Sequence, residues 1–65
     1  MSMGMTGNDI AAMQEVLSRM GYPVGAVDGE FGSMTQAAVI AFQADYGLDT
    51  DGVAGPLTQA AMGLR

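Results

Sequence analysis

Carboxylates are the main groups in this sequence that could take part in catalysis. The chain has 65 residues with no His and no Cys, so the commonest general base and the thiolate nucleophile are missing. Glu15 and Glu30 can be imagined as a glycosidase pair, which needs two carboxylates about 5–10 Å apart across a cleft. A chain this short has no room for an embedded cleft, and Glu30 falls in a predicted turn. We therefore expect no catalytic residue and no enzyme activity.

A calcium-binding loop is the second chemical possibility. In the run Asp49-Thr50-Asp51-Gly52, placing Gly52 at the sixth position of the motif puts the two aspartates at the third and fifth. The first and twelfth positions then fall on Gly47 and Thr58, where the motif requires carboxylates. The loop fails this test, and we expect neither a metal site nor a cofactor.

The charge balance excludes several classes of partner. Seven acidic and two basic residues give a formal net charge of −5, which offers no electrostatic reason to bind nucleic acid or an anionic membrane surface. The 49% hydrophobic content argues against an acidic disordered tail, and no apolar run reaches the ~18 residues of a membrane span. Residues 1–6 lack the features of a secretory signal. We expect a protein that stays in the cytoplasm until lysis or travels in a particle, with the localisation left open.

Three helices are predicted to position any binding group. The first covers about residues 7–20, with Thr6 and Asp9 as a capping box and Gly21 just beyond its end. Its apolar face is expected to contain Ile10, Met13, Leu17 and Met20. Residues 1–6 are predicted to be a flexible lead and residues 7–65 the domain.

The later helices are separated by two glycine-rich loops. The second helix begins after Gly32 and is stopped by Gly47, and a short third helix begins at Pro56. The apolar loop and helix residues expected to pack inside are Val24, Val27, Phe31, Ala38, Val39, Phe42 and Met62, and Tyr46 ends the apolar stripe of the second helix. The predicted fold is a compact all-α three-helix bundle with two Asp-Gly loops.

An internal repeat relates the two loops and the helices that follow them. Residues 28–39 read DGEFGSMTQAAV and residues 51–62 read DGVAGPLTQAAM, an offset of 23 with seven of twelve positions identical. We interpret the repeat as a turn that starts a helix, in which the Asp side chain accepts amides of its own turn or of the helix start, and the Thr bonds back to the loop. The residues assigned to this structural role are Asp28, Gly29, Gly32, Thr35, Asp51, Gly52, Gly55 and Thr58.

The glycines at the two helix starts lead to one expectation about stability. Gly32 and Gly55 are placed at the N-caps, because Pro56 aligns with Ser33 and proline favours the first helical position. Valine at either glycine is expected to unfold the domain, on the reasoning that a β-branched residue cannot adopt a strained turn.

Three ordered blocks of the chain resemble the peptidoglycan-binding domain, type 1, over about residues 7–62. They read Gly-x-x-Ile-x-x-Met-Gln-x-x-Leu-x-x-Met-Gly-Tyr from Gly7, Asp-Gly-x-Phe-Gly-x-x-Thr-x-x-Ala-Val-x-x-Phe-Gln from Asp28, and Gly-Leu-x-x-Asp-Gly-Val-x-Gly-x-x-Thr from Gly47. The resemblance implies a compact three-helix fold and a non-catalytic module that holds cell-wall hydrolases on peptidoglycan. The resemblance also implies that the partner is peptidoglycan, through its glycan and its stem peptide.

Five side chains are candidates for contact with such a ligand. Tyr22 and Tyr46 lie near helix ends and can be half exposed, whereas Gln14 and Gln43 either bind a sugar or peptide or make a structural bond to loop backbone. Arg19 either clamps a stem-peptide carboxylate or pairs with the glutamate four residues earlier.

A second hypothesis is a structural or interaction protein that reuses this fold, such as a component of a phage or phage-like particle with a protein assembly partner. Fold does not fix function, so both hypotheses stand at this point. The assembly hypothesis predicts an exposed apolar patch, for which Met34, Ile40 and Leu57 are candidates because they fall off the core stripes.

Overall fold

The computed structural model describes residues 1–64, and within them the chain forms three helices and no strand. The helices are α1 (Asn8–Arg19), α2 (Ser33–Asp45) and α3 (Pro56–Ala61). The predicted all-α architecture is confirmed, and α2 and α3 begin at the two positions that the repeat indicates. None of the helices described is long and apolar enough to cross a bilayer.

The core lies where helical periodicity places it. Its buried members are Ile10, Met13, Leu17, Val24, Phe31, Ala38, Val39, Phe42, Ala54 and Met62. Two expected core residues are exposed instead: Met20 (39%) and Val27 (47%). Met20 follows the last residue of α1 and lies about 80° around the axis from Ile10, at the edge of the buried face. Val27 lies in the first loop, outside the helices.

The same hydrogen-bond pattern ends all three helices. The N–H of Gly21 donates to Ser18 O (3.1 Å) and the next N–H, of Tyr22, donates to Leu17 O (2.9 Å). Equivalent pairs lie at Gly47 and Gly63. This is a Schellman motif, which satisfies carbonyls that a helix end leaves unpaired.

The start of α1 differs from the predicted capping box. Its N-cap is Gly7, with no side-chain cap hydrogen bond, and Asp9 Oδ1 instead accepts the N–H of Ile10 (2.9 Å). Thr6 forms an isolated antiparallel bridge with Glu30. That pairing commits the backbone of Thr6 to the first loop, which explains why the prediction is wrong.

The predicted flexible lead packs against both loops. Gly4 N–H donates to Phe31 O (3.0 Å), and Phe31 N–H donates to Met5 O (2.9 Å). At the chain start, Ala54 N–H donates to Met1 O (2.7 Å). Residues 1–5 therefore form backbone hydrogen bonds with both the first and the second loop. A domain boundary at residue 7 stays a prediction.

The helix-start glycines are unstrained, contrary to expectation. Gly32 has φ −106° and Gly55 has φ −80°, both extended conformations open to any residue, and a Cβ at either would meet nothing within 4 Å. The positive φ angles of the repeat lie three residues earlier in each loop, at Gly29 (76°) and Gly52 (73°). The reasoning that valine at Gly32 or Gly55 strains the backbone is wrong.

Candidate functional site

The first loop is held by the side chain of Gln14, which α1 points into it. Gln14 Nε2 donates to Asp28 Oδ1 (3.2 Å), Glu30 O (2.9 Å) and Thr35 Oγ1 (3.0 Å). Its Oε1 accepts the buried N–H of Gly29 (2.9 Å). Gln14 is only 1% exposed, so the internal bonds occupy the amide and support the structural alternative for this residue.

Gln43 holds the second loop with the same set of bonds. Its Nε2 donates to Asp51 Oδ1 (3.1 Å), Val53 O (3.0 Å) and Thr58 Oγ1 (3.2 Å), and its Oε1 accepts the N–H of Gly52 (3.1 Å). Gln43 is also 1% exposed. Each repeat threonine thus accepts from a glutamine of the preceding helix, where a bond to the loop had been predicted.

Each loop aspartate accepts a backbone N–H of its own turn. Asp28 Oδ1 accepts the N–H of Glu30 (3.0 Å), and Asp51 Oδ1 accepts the N–H of Val53 (2.9 Å). These backbone bonds, followed by the bonds from the glutamine amides, hold the pKa of both carboxyl groups below the ordinary value of 3.8. Both groups are therefore ionised acceptors at neutral pH.

Each network forms the floor of an open cleft. The second-loop cleft has a volume of about 190 Å³ and the first-loop cleft about 250 Å³. The second-loop cleft is lined by Gln43, Leu48, Asp49, Asp51, Val53, Gly55, Pro56, Leu57 and Thr58. The first-loop cleft is lined by Gln14, Val24, Ala26, Asp28, Glu30, Gly32, Ser33, Met34 and Thr35.

The two clefts share a floor and differ in their rims. Where the first-loop cleft has Glu30, the second-loop cleft has Val53, which is 43% exposed. Leu57 of the second rim is 77% exposed, the highest value among the exposed large apolar side chains of the described residues. The second-loop cleft therefore combines fixed polar groups below with an apolar rim above, as small-ligand sites commonly do.

An aromatic row lies at the end of α2. Phe42 is buried, with Tyr46 stacked on it (centroids 4.3 Å, 25° between planes) and Tyr22 meeting it edge-on (5.7 Å, 78°). The hydroxyl of Tyr22 donates to Asp45 Oδ2 (2.7 Å). This hydrogen bond, with desolvation and the negative charge of Asp45, raises the pKa of Tyr22 to about 12. Tyr46 keeps half of its surface exposed.

Arg19 is the only basic side chain among residues 1–64, and it forms an exposed ion pair with Glu15 one turn earlier on α1. The pairing is the second of the two alternatives that the sequence leaves open. An exposed pair of this kind stabilises a helix by only a few tenths of a kcal/mol.

The five predicted ligand contacts do not meet in one place. Gln14 and Gln43 form the floors of different clefts, and neither Arg19, Tyr22 nor Tyr46 lines a cleft. The rim residues Leu48, Val53 and Pro56 were not predicted as contacts. The sequence does hold a signal for the rims, because the repeat aligns Met34 with Leu57 and both are exposed apolar residues. Both were already candidates for an apolar patch.

Metal binding finds no support in the part of the chain that the structure describes. No group of three or more His, Cys, Asp or Glu side chains lies close enough to hold an ion there.

Comparisons with known proteins give consistent matches. The family model described as "Putative peptidoglycan binding domain" matches residues 6–62. An N-acetylmuramoyl-L-alanine amidase of Mycobacterium tuberculosis is 44% identical over 52 residues, which cover 80% of this chain and 13% of the amidase. The chain thus spans a small fraction of the first curated relatives that it matches, with 24% and 18% for two others.

Two solved structures share the fold. The crystal structure of the SleB N-terminal domain superimposes with a TM-score of 0.93 at 36% identity and covers 97% of this chain and 86% of that one. A Burkholderia AP3 phage endolysin gives a TM-score of 0.90 at 39% identity, covering 95% of this chain and 24% of the endolysin.

Proposed function

Because the chain belongs to the peptidoglycan-binding domain family, we propose that it binds peptidoglycan without cleaving it and that the second-loop cleft makes the principal contact. The observation that carries the choice of cleft is the combination of a locked polar floor with an exposed apolar rim. A rigid site loses little conformational entropy when a ligand binds.

The groups of this cleft match the chemistry of a glycan and its stem peptide. Asp51 uses Oδ1 for both of its internal bonds, and Oδ2 is then an acceptor for a sugar hydroxyl or a peptide N–H. Leu57 and Val53 offer apolar surface to the C–H face of a sugar ring or to alanine methyl groups. The cleft therefore supplies both directional and apolar contacts.

The predicted contact residues take different roles in this proposal. Gln43 positions the loop from below and does not touch the ligand, and Gln14 does the same for the first-loop cleft. Tyr46 offers a supplementary contact, because one ring face stacks on Phe42 while half of the side chain remains exposed. Tyr22 and Arg19 are engaged with Asp45 and Glu15, so we assign them no direct contact.

We also propose that the chain itself is not an enzyme. A glycosidase acid needs a raised pKa, whereas the pKa values of Asp28 in the first-loop cleft and Asp51 in the second-loop cleft are lowered. The hydrolytic activity named for the relatives then resides in parts of those proteins that this chain does not cover.

Co-sedimentation with purified, insoluble peptidoglycan sacculi tests the proposal. The chain is expected to pellet with sacculi, and Leu57→Ala is expected to weaken binding by about 1–2 kcal/mol, or five- to thirtyfold, because the apolar area that it buries is lost. Ile40→Ala is the matched control, since Ile40 is 38% exposed and lines neither cleft. Equal binding by both variants would place the contact elsewhere, and no pelleting would contradict the function.

The particle-component hypothesis is a second proposal, favoured by the similarity to a phage endolysin and by the exposure of Leu57 and Met34. It predicts that a partner protein covers these side chains. Sedimentation of the chain with intact particles and protection of Met34 from oxidation within them would support it, and a free monomer in particle preparations would oppose it.

A further inference from the structure

The charges that line the second-loop cleft are negative. Asp49 and Asp51 both contribute to its lining, and no basic side chain among residues 1–64 does so. Arg19 is paired with Glu15, and the α-amino group of Met1 donates to Ala54 O outside the lining. The net charge of the chain is −5, and both charged side chains that line this cleft are negative. A ligand that enters the cleft therefore meets a negative electrostatic potential.

The two lining aspartates are held in different ways. Asp51 is fixed as an ionised acceptor by Val53 N–H and by the Gln43 amide, so its charge belongs to the loop itself. Asp49 is exposed, and its carboxylate accepts no hydrogen bond from residues 1–64. The Asp49 charge therefore acts on the cleft without being needed for the fold, which makes it suitable for substitution.

Peptidoglycan presents two kinds of surface to such a cleft. Its glycan is uncharged and its amidated stem peptides lack the carboxylate charge, whereas free stem carboxylates are anionic. An anion brought beside Asp49 and Asp51 is repelled and finds no cation among the described lining residues to offset its desolvation. Hydroxyl and amide N–H groups, in contrast, donate to those same carboxylates.

We propose that the second-loop cleft selects uncharged stretches of the wall polymer, glycan or amidated stem peptide, against stretches with free stem carboxylates. This inference rests on the proposed function and adds the ligand class to it. It implies an unusual salt dependence: binding to an anionic wall strengthens as salt screens the repulsion, because the Debye length falls from about 30 Å at 0.01 M to about 3 Å at 1 M.

The test uses one batch of sacculi in three forms. One portion is untreated, in a second the carboxylates are coupled by carbodiimide to methylamine, which removes their charge, and in a third they are coupled to taurine, which keeps one negative charge per site. The coupling chemistry and its side reactions are the same in the last two. We expect binding at low salt to be about fivefold tighter to methylamine-treated than to taurine-treated sacculi, the size of an effect from a close pair of exposed charges.

The salt dependence and a pair of variants with the same change in charge show whether the repulsion comes from the second-loop cleft. Salt should strengthen binding to untreated and taurine-treated sacculi but not to methylamine-treated sacculi, where no repulsion remains to be screened. On untreated sacculi Asp49→Asn should bind about twofold tighter, and Asp9→Asn, which removes the same charge outside both clefts, should change binding less.

Each contrary result has a distinct meaning. No pelleting with any preparation overturns the proposed function together with this inference. Pelleting that is equal for all three preparations, or tighter to the untreated form, leaves peptidoglycan binding intact and overturns the selection. Salt strengthening that persists on methylamine-treated sacculi would reflect a general salting-out of apolar contacts, and it would likewise overturn the charge argument.

Discussion

Replacing Gln43 by leucine should unfold the second loop, and it is the sharpest test of how this domain is held together. Leucine has a similar volume but cannot donate or accept hydrogen bonds. The change leaves the buried N–H of Gly52 and the hydroxyl of Thr58, which is 5% exposed, without the partner that each has in the folded chain. A buried polar group that loses its partner costs about 1–3 kcal/mol.

The expected loss in the free energy of unfolding is therefore about 2–6 kcal/mol for the two groups. A domain of 65 residues has a total stability of only ~3–10 kcal/mol, so the variant should be largely unfolded or have a melting temperature lower by at least about 10 °C. Gln14→Leu should behave in the same way, because Gln14 makes the equivalent bonds to the first loop.

Urea denaturation followed by circular dichroism, with linear extrapolation to water, measures this loss. Gln36→Leu is the control, because the Gln36 amide makes no hydrogen bond with residues 1–64, and its stability should change by less than about 0.5 kcal/mol. A loss below about 1 kcal/mol in Gln43→Leu would refute the reasoning. If sacculus binding were then abolished while the fold persisted, Gln43 would be a ligand contact rather than a structural one.

Three further predictions concern the backbone and the titrating groups. Gly52→Ala should lower the free energy of unfolding by about 1–2 kcal/mol in urea denaturation, since the φ of Gly52 is 73° and the added Cβ would lie 3.0 Å from Gln36 Cγ. Gly32→Ala should be nearly neutral, and equal losses in the two variants would contradict this description of the loop. In Tyr46→Phe, the tyrosinate absorbance of Tyr22 should titrate near 12, so that the stability contributed by Tyr22 persists below pH 10 and is lost between pH 10 and about 12. A midpoint at 10 would exclude the hydrogen bond from Tyr22 to Asp45. The lowered pKa of Asp51 contributes stability above 3.8 that disappears as pH falls below that value, so acid unfolding should be shallower in Asp51→Asn, and an unchanged acid profile would show that this carboxylate is not linked to folding.

The fold was predictable because its local signals agree with one another. Apolar spacing marks the buried face of α1, Pro56 marks the start of α3, and glycines mark the helix ends. The predicted capping box is wrong because Thr6 finds a partner distant in sequence, Glu30. The lead was expected to be flexible because Met alternating with Ser and Gly gives no helical face, yet its backbone pairs with Phe31 and Ala54.

The candidate site was only partly predictable. Sequence identifies the two glutamines as notable polar residues but cannot decide between ligand contact and loop support, because an amide suits both. Their burial supports a structural role, since each is 1% exposed and bonded within its loop. The sequence predicts Leu57 as part of an exposed apolar patch, but only the structure shows the cleft that it lines.

The sequence by itself determined the family, the three helices and the repeat that starts two of them. Only the tertiary structure revealed that the two loops share one network as well as one motif. Gln14 lies 14 residues before its loop aspartate and Gln43 lies 8 residues before its own, so the glutamines fall out of the 23-residue register that aligns the loops. The segments between helix and loop differ in length, and three-dimensional packing alone brings the two amides to equivalent positions. The physical reason is that the buried N–H of each loop needs an acceptor, and a glutamine of the preceding helix supplies it.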